Sequence, residues 1–273
     1  MEQETPTTHT IQRHLLKSKV RVLLVGDGGN GGVVLEHLLR LHQALVAWGH
    51  PGGLDVTMMD GDTVSETNCV RQSFSVSDIG HNKANILINR VNIYKGMSWQ
   101  ALPEMFSADS LRGAGRHFDI LIGCVDTKAA RRAIAAAVTA SDCSIAYYLD
   151  LGNSESTGQY VLGEPLNFRN RRKAARLRCV FELYPEMLAE EEDAGPSCSA
   201  IEALERQGPM INSCVAAQAV ALLTNLFRRG TVNYQGGFVN TEFGTTVPLK
   251  INNSVRLKLC RRTTPRPAKQ LAA

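Results

Sequence analysis

A chain of 273 residues with 44% hydrophobic, 21% charged and 6% aromatic residues is composed like an ordinary globular protein, long enough for one large domain or a domain with a small appendage. A net charge of +4 is weak evidence for nucleic acid, since most soluble proteins with such a balance bind none, and no apolar run approaches the roughly 20 residues of a membrane span. The N-terminus lacks the apolar stretch of a signal peptide, and the seven cysteines form no Cys-x-x-Cys pair, so reduced thiols in a cytoplasmic protein are expected.

Residues 1–19 read as a polar arm with a short helix near Ile11–Leu16. Val20–Val25 (VRVLLV) is β-branched and almost wholly apolar, as a strand buried on both faces of a parallel sheet must be. Gly26–Gly32 is a glycine-rich turn, after which Val33, Val34, His37, Leu38 and Leu41 recur at helical spacing. The stretch 42–53 extends that helix into a loop broken at Pro51-Gly52-Gly53. Val56–Met59 reads as a second strand ending at Asp60, Lys83–Tyr94 as a helix, and Asp119–Cys124 as a buried strand. Alanine-rich Lys128–Ala140 is a helix, followed by strands at Ile145–Leu149 and Gln159–Leu162. The alternation predicts an α/β, doubly wound (Rossmann-like), mainly parallel sheet.

The middle of the chain changes character. Residues 169–178 hold six basic side chains and 182–193 six acidic ones, expected as two solvated, mutually attracting helical faces. After Gly195-Pro196, Asn212–Phe227 is an apolar core helix. Phe238–Asn240 and Thr246–Ile251 are expected to close the sheet as an antiparallel C-terminal extension, and 261–273 to be a disordered tail.

Gly26-Asp27-Gly28-Gly29-Asn30-Gly31 is a G-x-G-x-x-G between a strand and a helix, where glycine lets a phosphate approach the backbone amides at the helix's positive end. By itself this does not choose between NAD, FAD and ATP. Asp60 and Asp62, at the end of the second strand, stand where an acid binds ribose hydroxyls. Asn68, Arg71, Gln72 and Lys83 follow closely, a neutral donor, a forked donor and a point charge suited to a triphosphate. Asp126, at the carboxyl end of a buried strand, is placed to hold Mg²⁺. An NAD(P)-dependent oxidoreductase leaves Arg71, Lys83 and Asp126 without a task.

The order GDGGNG, DGDTVSETNCVRQ, DIGHNK, GCVD resembles the ThiF/MoeB/HesA superfamily of ubiquitin-activating (E1-like) proteins, closely over residues 20–165 and loosely to about 250. A narrower similarity is to ThiF-related proteins of bacterial PRTRC cassettes. The resemblance implies one adenylation domain over 20–260, with 168–199 as charged insert and crossover loop. It implies ATP and Mg²⁺ as cofactors: Gly26, Gly28, Gly29 and Gly31 shape the nucleotide loop, and Asp60 and Asp62 serve the ribose side. Asn68, Arg71 and Lys83 would contact phosphates, Gln72 support them and Asp126 bind the metal. The expected reaction is adenylation of the C-terminal carboxylate of a ubiquitin-like or sulfur-carrier protein, with a tRNA-linked or peptide carboxylate as the alternative. The family commonly forms homodimers in which an N-terminal arginine, here Arg13, reaches the neighbour's ATP. Gly195-Pro196-Ser197-Cys198-Ser199 resembles the context of a thioester cysteine, with an E2-like acceptor downstream. Many members carry a structural zinc on two cysteine pairs. Here Arg176 stands where the partner of Cys179 would be, so no zinc site is expected.

Overall fold

A computed structural model of the chain describes residues 7–112, 117–173, 175–188 and 208–251. A two-residue strand, β1 (His9–Thr10), opens them, followed by β2 (Val20–Val25), helix α1 (Gly29–Ala47) and β3 (Leu54–Met59). Then come α2 (Asn68–Arg71), α3 (Lys83–Lys95), β4 (Gln100–Leu102), β5 (Ile120–Gly123), α4 (Lys128–Thr139), β6 (Tyr147–Asn153) and β7 (Thr157–Gly163). The remainder is α5 (Val180–Leu183), α6 (Ile211–Arg229), β8 (Thr231–Val232), β9 (Tyr234–Asn240) and β10 (Thr245–Lys250). The short helix expected at Ile11–Leu16 is a 3-10 turn starting at Arg13.

Eight strands form one sheet in the order β10-β9-β7-β6-β5-β2-β3-β4. The run from β6 to β4 is parallel, and β7, β9 and β10 add antiparallel pairs. Alternation along the buried strands decides which helices cover which face. Val22, Leu24, Ile120, Ile122, Tyr147 and Leu149 point into a core shared with α1, α3 and α6, whereas Leu23, Val25, Leu121 and Tyr148 meet Ile134 and Val138 of α4 on the other face. Because β2 is followed by β3 on one side and paired with β5 on the other, the crossover direction reverses between β2 and β5. Open α/β sheets bind ligands beyond the carboxyl ends of the strands at such a point.

The basic stretch corrects an expectation. Residues 169–173 form turns instead of a helix. Lys173 reaches the fully buried Glu164, whose Oε2 accepts from Leu177 N at 2.9 Å. Arg176 forks onto Glu182, and Arg169 Nη1 lies 2.8 Å from His14 Nε2. Buried Glu164 and partly buried Glu182 thus draw Lys173 and Arg176 back onto the protein. Attraction between the two stretches survives in the Arg176–Glu182 pair. The acidic stretch is helical only over α5 and a 3-10 turn at Pro185–Leu188, and from 189 it lies outside the described residues.

Candidate functional site

β2 ends where Gly26 turns with φ +88°, and a Cβ there would sit 2.8 Å from the Cys124 carbonyl oxygen. Gly26 N donates to Met59 O at 3.0 Å, and Cys124 N donates to Val25 O at 2.8 Å. The turn is thus clamped between the ends of β3 and β5. Gly28 caps the 19-residue α1, with no side-chain cap and no acidic residue in the first turn. That leaves the helix's positive end available to an anion. Among the described residues, a Cβ on Gly28 would meet only the Cys124 carbonyl oxygen at 3.8 Å, so none of them fills the space above. A Cβ on Gly31 would lie 2.1 Å from the Gly26 carbonyl oxygen, so that glycine is needed for packing alone.

On the β3 side the acids are tied into a second turn. Buried Asp60 accepts Asp27 N at 2.5 Å through Oδ2 and Asp62 N at 2.8 Å through Oδ1. Asn82 caps α3 by accepting Asn85 N and donates to the carbonyls of Asp60 and Asp62. This brings Lys83, the first residue of α3, back onto the acidic turn. Its buried ammonium lies 3.2 Å from Asp62 Oδ2. Asn68 is buried, and its Oδ1 accepts Ser65 N and Oγ, holding the turn into α2. Arg71 ends α2, with its side chain outside the described atoms. Gln72 Oε1 is buried with no hydrogen-bond partner.

Asp27, the second residue of the glycine motif, is 1% exposed, and neither carboxylate oxygen has a hydrogen-bond partner. Burial first, and Asp60 second, hold its carboxyl well above the usual carboxylate range. A raised native value favours folding fully below the unfolded value, and this contribution is lost as pH rises through the native one. Asp27 therefore weakens the fold increasingly as pH rises above the ordinary carboxylate range. Asp27→Asn, of equal shape without charge, is expected to gain about 1–3 kcal/mol at pH 8 and little at pH 4. Thermal melts across this range check it, and a melting-temperature gap that did not widen with pH would rule the account out.

At the β5 end, Asp126 is exposed, and Thr127 caps α4 by accepting Ala130 N at 3.1 Å. Sequence reasoning missed what lies beneath. Arg131, on the inner face of α4, sends Nε to 3.5 Å from Oδ1 of fully buried Asp150 and donates from Nη2 to Leu151 O at 3.3 Å. Tyr148 OH donates to the same Asp150 oxygen at 2.6 Å. Burial pushes the Asp150 carboxyl up, while Arg131 and the Tyr148 hydroxyl oppose it. This buried pair joins α4 to β6 directly behind Asp126. An acid inside an otherwise apolar strand run (YYLDLG) was the available signal.

The structure brings Gly26, Gly28, Gly29, Gly31, Asp60, Asp62, Asn68, Lys83 and Asp126 to the carboxyl ends of β2, β3 and β5. It does not bring Arg13 there. Gln12 Nε2 donates to Ala146 O at 3.2 Å, and His14 Nε2 lies 3.5 Å from Asp119, so the arm sits where β5 and β6 begin. The six residues of β2, at roughly 3.3 Å each, separate that end from the glycine turn by about 20 Å. Cys198 lies outside the described residues, as do 261–273. Cys69 and Cys214 are half-buried against the main core, as packing residues should be. Cys179 is fully buried, and burial pushes its thiol up. The donor set suits a nucleoside triphosphate with its metal: an uncapped helix terminus, space above Gly28 that no described residue fills, a lysine ammonium on an acidic turn and an exposed carboxylate.

A family model described as the ThiF family matches residues 5–256. A protein described as ATP-dependent ubiquitin transferase-like protein Cap2, from Enterobacter hormaechei subsp. hoffmannii (strain UCI 50), is 26% identical over 124 residues, 44% of this chain and 19% of that one. The solved structure of E. coli MccB with ATP is similar over 87% of this chain and 65% of its own, at TM-score 0.55 and 16% identity. That of PaaA is similar over 85% of this chain and 73% of its own, at TM-score 0.56 and 14% identity. The chain thus spans about a fifth of the length of Cap2 and 65% of MccB.

Proposed function

Because this chain belongs to the ThiF family, an ATP-dependent adenylation fold, we propose that it adenylates the C-terminal carboxylate of a ubiquitin-like or sulfur-carrier protein. The observation that carries the proposal is the uncapped N-terminus of α1 flanked by Asp60 and Lys83 on one side and Asp126 on the other. ATP, when bound, supplies an electrophilic α-phosphorus. A carboxylate oxygen bonds to that phosphorus, the bond to the bridging oxygen breaks, and pyrophosphate leaves.

The chain's own residues orient and neutralise. Asp60 accepts from the ribose hydroxyls, and the α1 amides with Lys83, Asn68 and Arg71 hold the phosphates. Gln72 supports them. Asp126 would hold Mg²⁺, which would supply positive charge to offset that of the phosphates. No protein nucleophile is required, so the acceleration comes from alignment and charge stabilisation. Arg13, facing away from its own glycine turn, is assigned to the nucleotide of a second copy in a homodimer. The carboxylate class is drawn from Cap2 and from MccB, whose solved complexes include one with MccA. The basic stretch around Arg176 gives RNA little support, since Lys173 and Arg176 are engaged internally.

The test is ATP–pyrophosphate exchange with a small protein ending in a free carboxylate. Exchange that needs the protein and is lost when its C-terminal carboxylate is amidated is expected; exchange indifferent to that group sinks the proposal. Transfer of the acyl group from AMP to the Cys198 sulfur would add a thiol-labile adduct to the same assay, absent in Cys198→Ala.

A further inference from the structure

The groups assigned to the nucleotide lie at the ends of β2, β3 and β5, and β6 is the next strand along the sheet. The flank toward β6 carries three asparagines far apart in sequence. Asn30, in the first turn of α1, is 7% exposed and donates from Nδ2 to Asn153 Oδ1 at 2.7 Å. Asn153, the last residue of β6, donates in turn from Nδ2 to the Ser154 carbonyl oxygen at 3.1 Å. The carbonyl at the end of this relay accepts only, which fixes both amides: Asn30 must donate inward, leaving its Oδ1 as an acceptor. That oxygen is buried and has no hydrogen-bond partner among the described residues.

Asn212, in the first turn of α6, is 4% exposed, and its Oδ1 is also buried without a partner among the described residues. Its amide fills the space left by the missing side chain of Gly29, where a Cβ would stand 2.1 Å from Asn212 Nδ2. Gly29 therefore admits α6 to the first turn of α1. Two helix N-termini and two orphaned carbonyl acceptors converge beside the turn. Phosphate oxygens at neutral pH accept and cannot satisfy such acceptors. A buried acceptor left unpaired is costly, so the ligand that completes this flank must bring N–H donors. The main chain of a peptide does so, and its terminal carboxylate suits the helix N-termini.

We propose that Asn30, Asn153 and Asn212 seat the terminal residues of the acyl substrate, Asn30 and Asn212 accepting main-chain N–H groups. The carboxylate is then held over the glycine turn. This deepens the adenylation reading and rests on it: the seat defines the substrate as peptide-ended.

The experiment compares two synthetic decapeptides ending in Gly-Gly, one with a normal terminal amide and one in which an ester oxygen replaces its N–H. Calorimetry is done on the full chain saturated with a non-hydrolysable ATP analogue, for wild type, Asn212→Leu and Asn153→Leu. Wild type is expected to bind the amide about tenfold to a hundredfold more tightly than the ester. In either variant that preference should collapse to about twofold or less with nucleotide affinity retained, and Asn153→Leu, which leaves the buried Asn30 Nδ2 without its acceptor, should also melt lower. Two variants guard against one failing to fold. Equal binding of amide and ester by wild type, a preference that survives both substitutions, or no binding of either peptide each overturns the seat. None of these outcomes touches adenylation itself, which is judged by exchange with the protein substrate.

Discussion

Replacing Asp126 with alanine is expected to slow ATP–pyrophosphate exchange about 10²–10³-fold, the loss typical of removing one preorganised electrostatic group. Asp126 is exposed at the end of β5, and surface substitutions of this kind usually move stability by less than about 0.5 kcal/mol. A large loss of exchange with an unchanged melt would therefore report on chemistry. The Mg²⁺ concentration needed for half-maximal exchange should rise in parallel, since the carboxylate is the group assigned to the metal. Asn substitution separates charge from shape: Asp126→Asn keeps the side chain's outline and should lose nearly as much as alanine. Exchange within about threefold of wild type in either variant would remove Asp126 from the site.

Gly31→Ala and Gly28→Ala are expected to fail in opposite ways. The Cβ at residue 31 meets the Gly26 carbonyl at 2.1 Å, a backbone atom in a turn clamped to both Met59 and Cys124. Nothing there yields cheaply, so a loss of about 3 kcal/mol or more is expected, at or beyond the upper end of ordinary overpacking. At residue 28 the added methyl group meets the Cys124 carbonyl at an ordinary 3.8 Å, and Gly28 has φ −63°, which alanine adopts freely. Stability should hold to about 1 kcal/mol. The methyl group would instead stand in the approach to the first amides of α1, weakening ATP about tenfold or more. Melting curves and nucleotide calorimetry on the pair distinguish the two roles. A stable Gly31→Ala, or a Gly28→Ala that bound ATP normally, would show that the glycines are needed for other reasons.

Legibility followed burial. Val20–Val25 was readable to the residue because a strand covered by helices on both faces must be continuously apolar. β6 was misjudged for the same reason: the reading ended it at Leu149, since an acid looks like a strand end. Arg131 and Tyr148 satisfy Asp150 and let the strand run on to Asn153. The two- and three-residue strands β1, β4 and β8 have no periodicity to detect. The basic stretch was read as solvated because Glu164, which draws in Lys173, gave no sign of being buried.

Within the site, residues at defined motif positions were visible, the neutral Asn68 and Gln72 among them, and those at variable positions or outside the motifs were not. Lys83 could be named from the sequence, but its return to the acidic turn depends on Asn82 bonding two carbonyls. Asp27 was hidden as a variable position of the glycine motif. Asn30, Asn153 and Asn212 are ordinary residues until folding removes their water.

The docking of the arm against the starts of β5 and β6 has a kinetic meaning. If Arg13 serves only a neighbour's nucleotide, an isolated chain is an incomplete catalyst however well it folds. Rate per chain then depends on concentration, flat while copies are paired and falling as dilution separates them. Output would then track abundance more steeply than in proportion, a threshold set by where the arm is pinned.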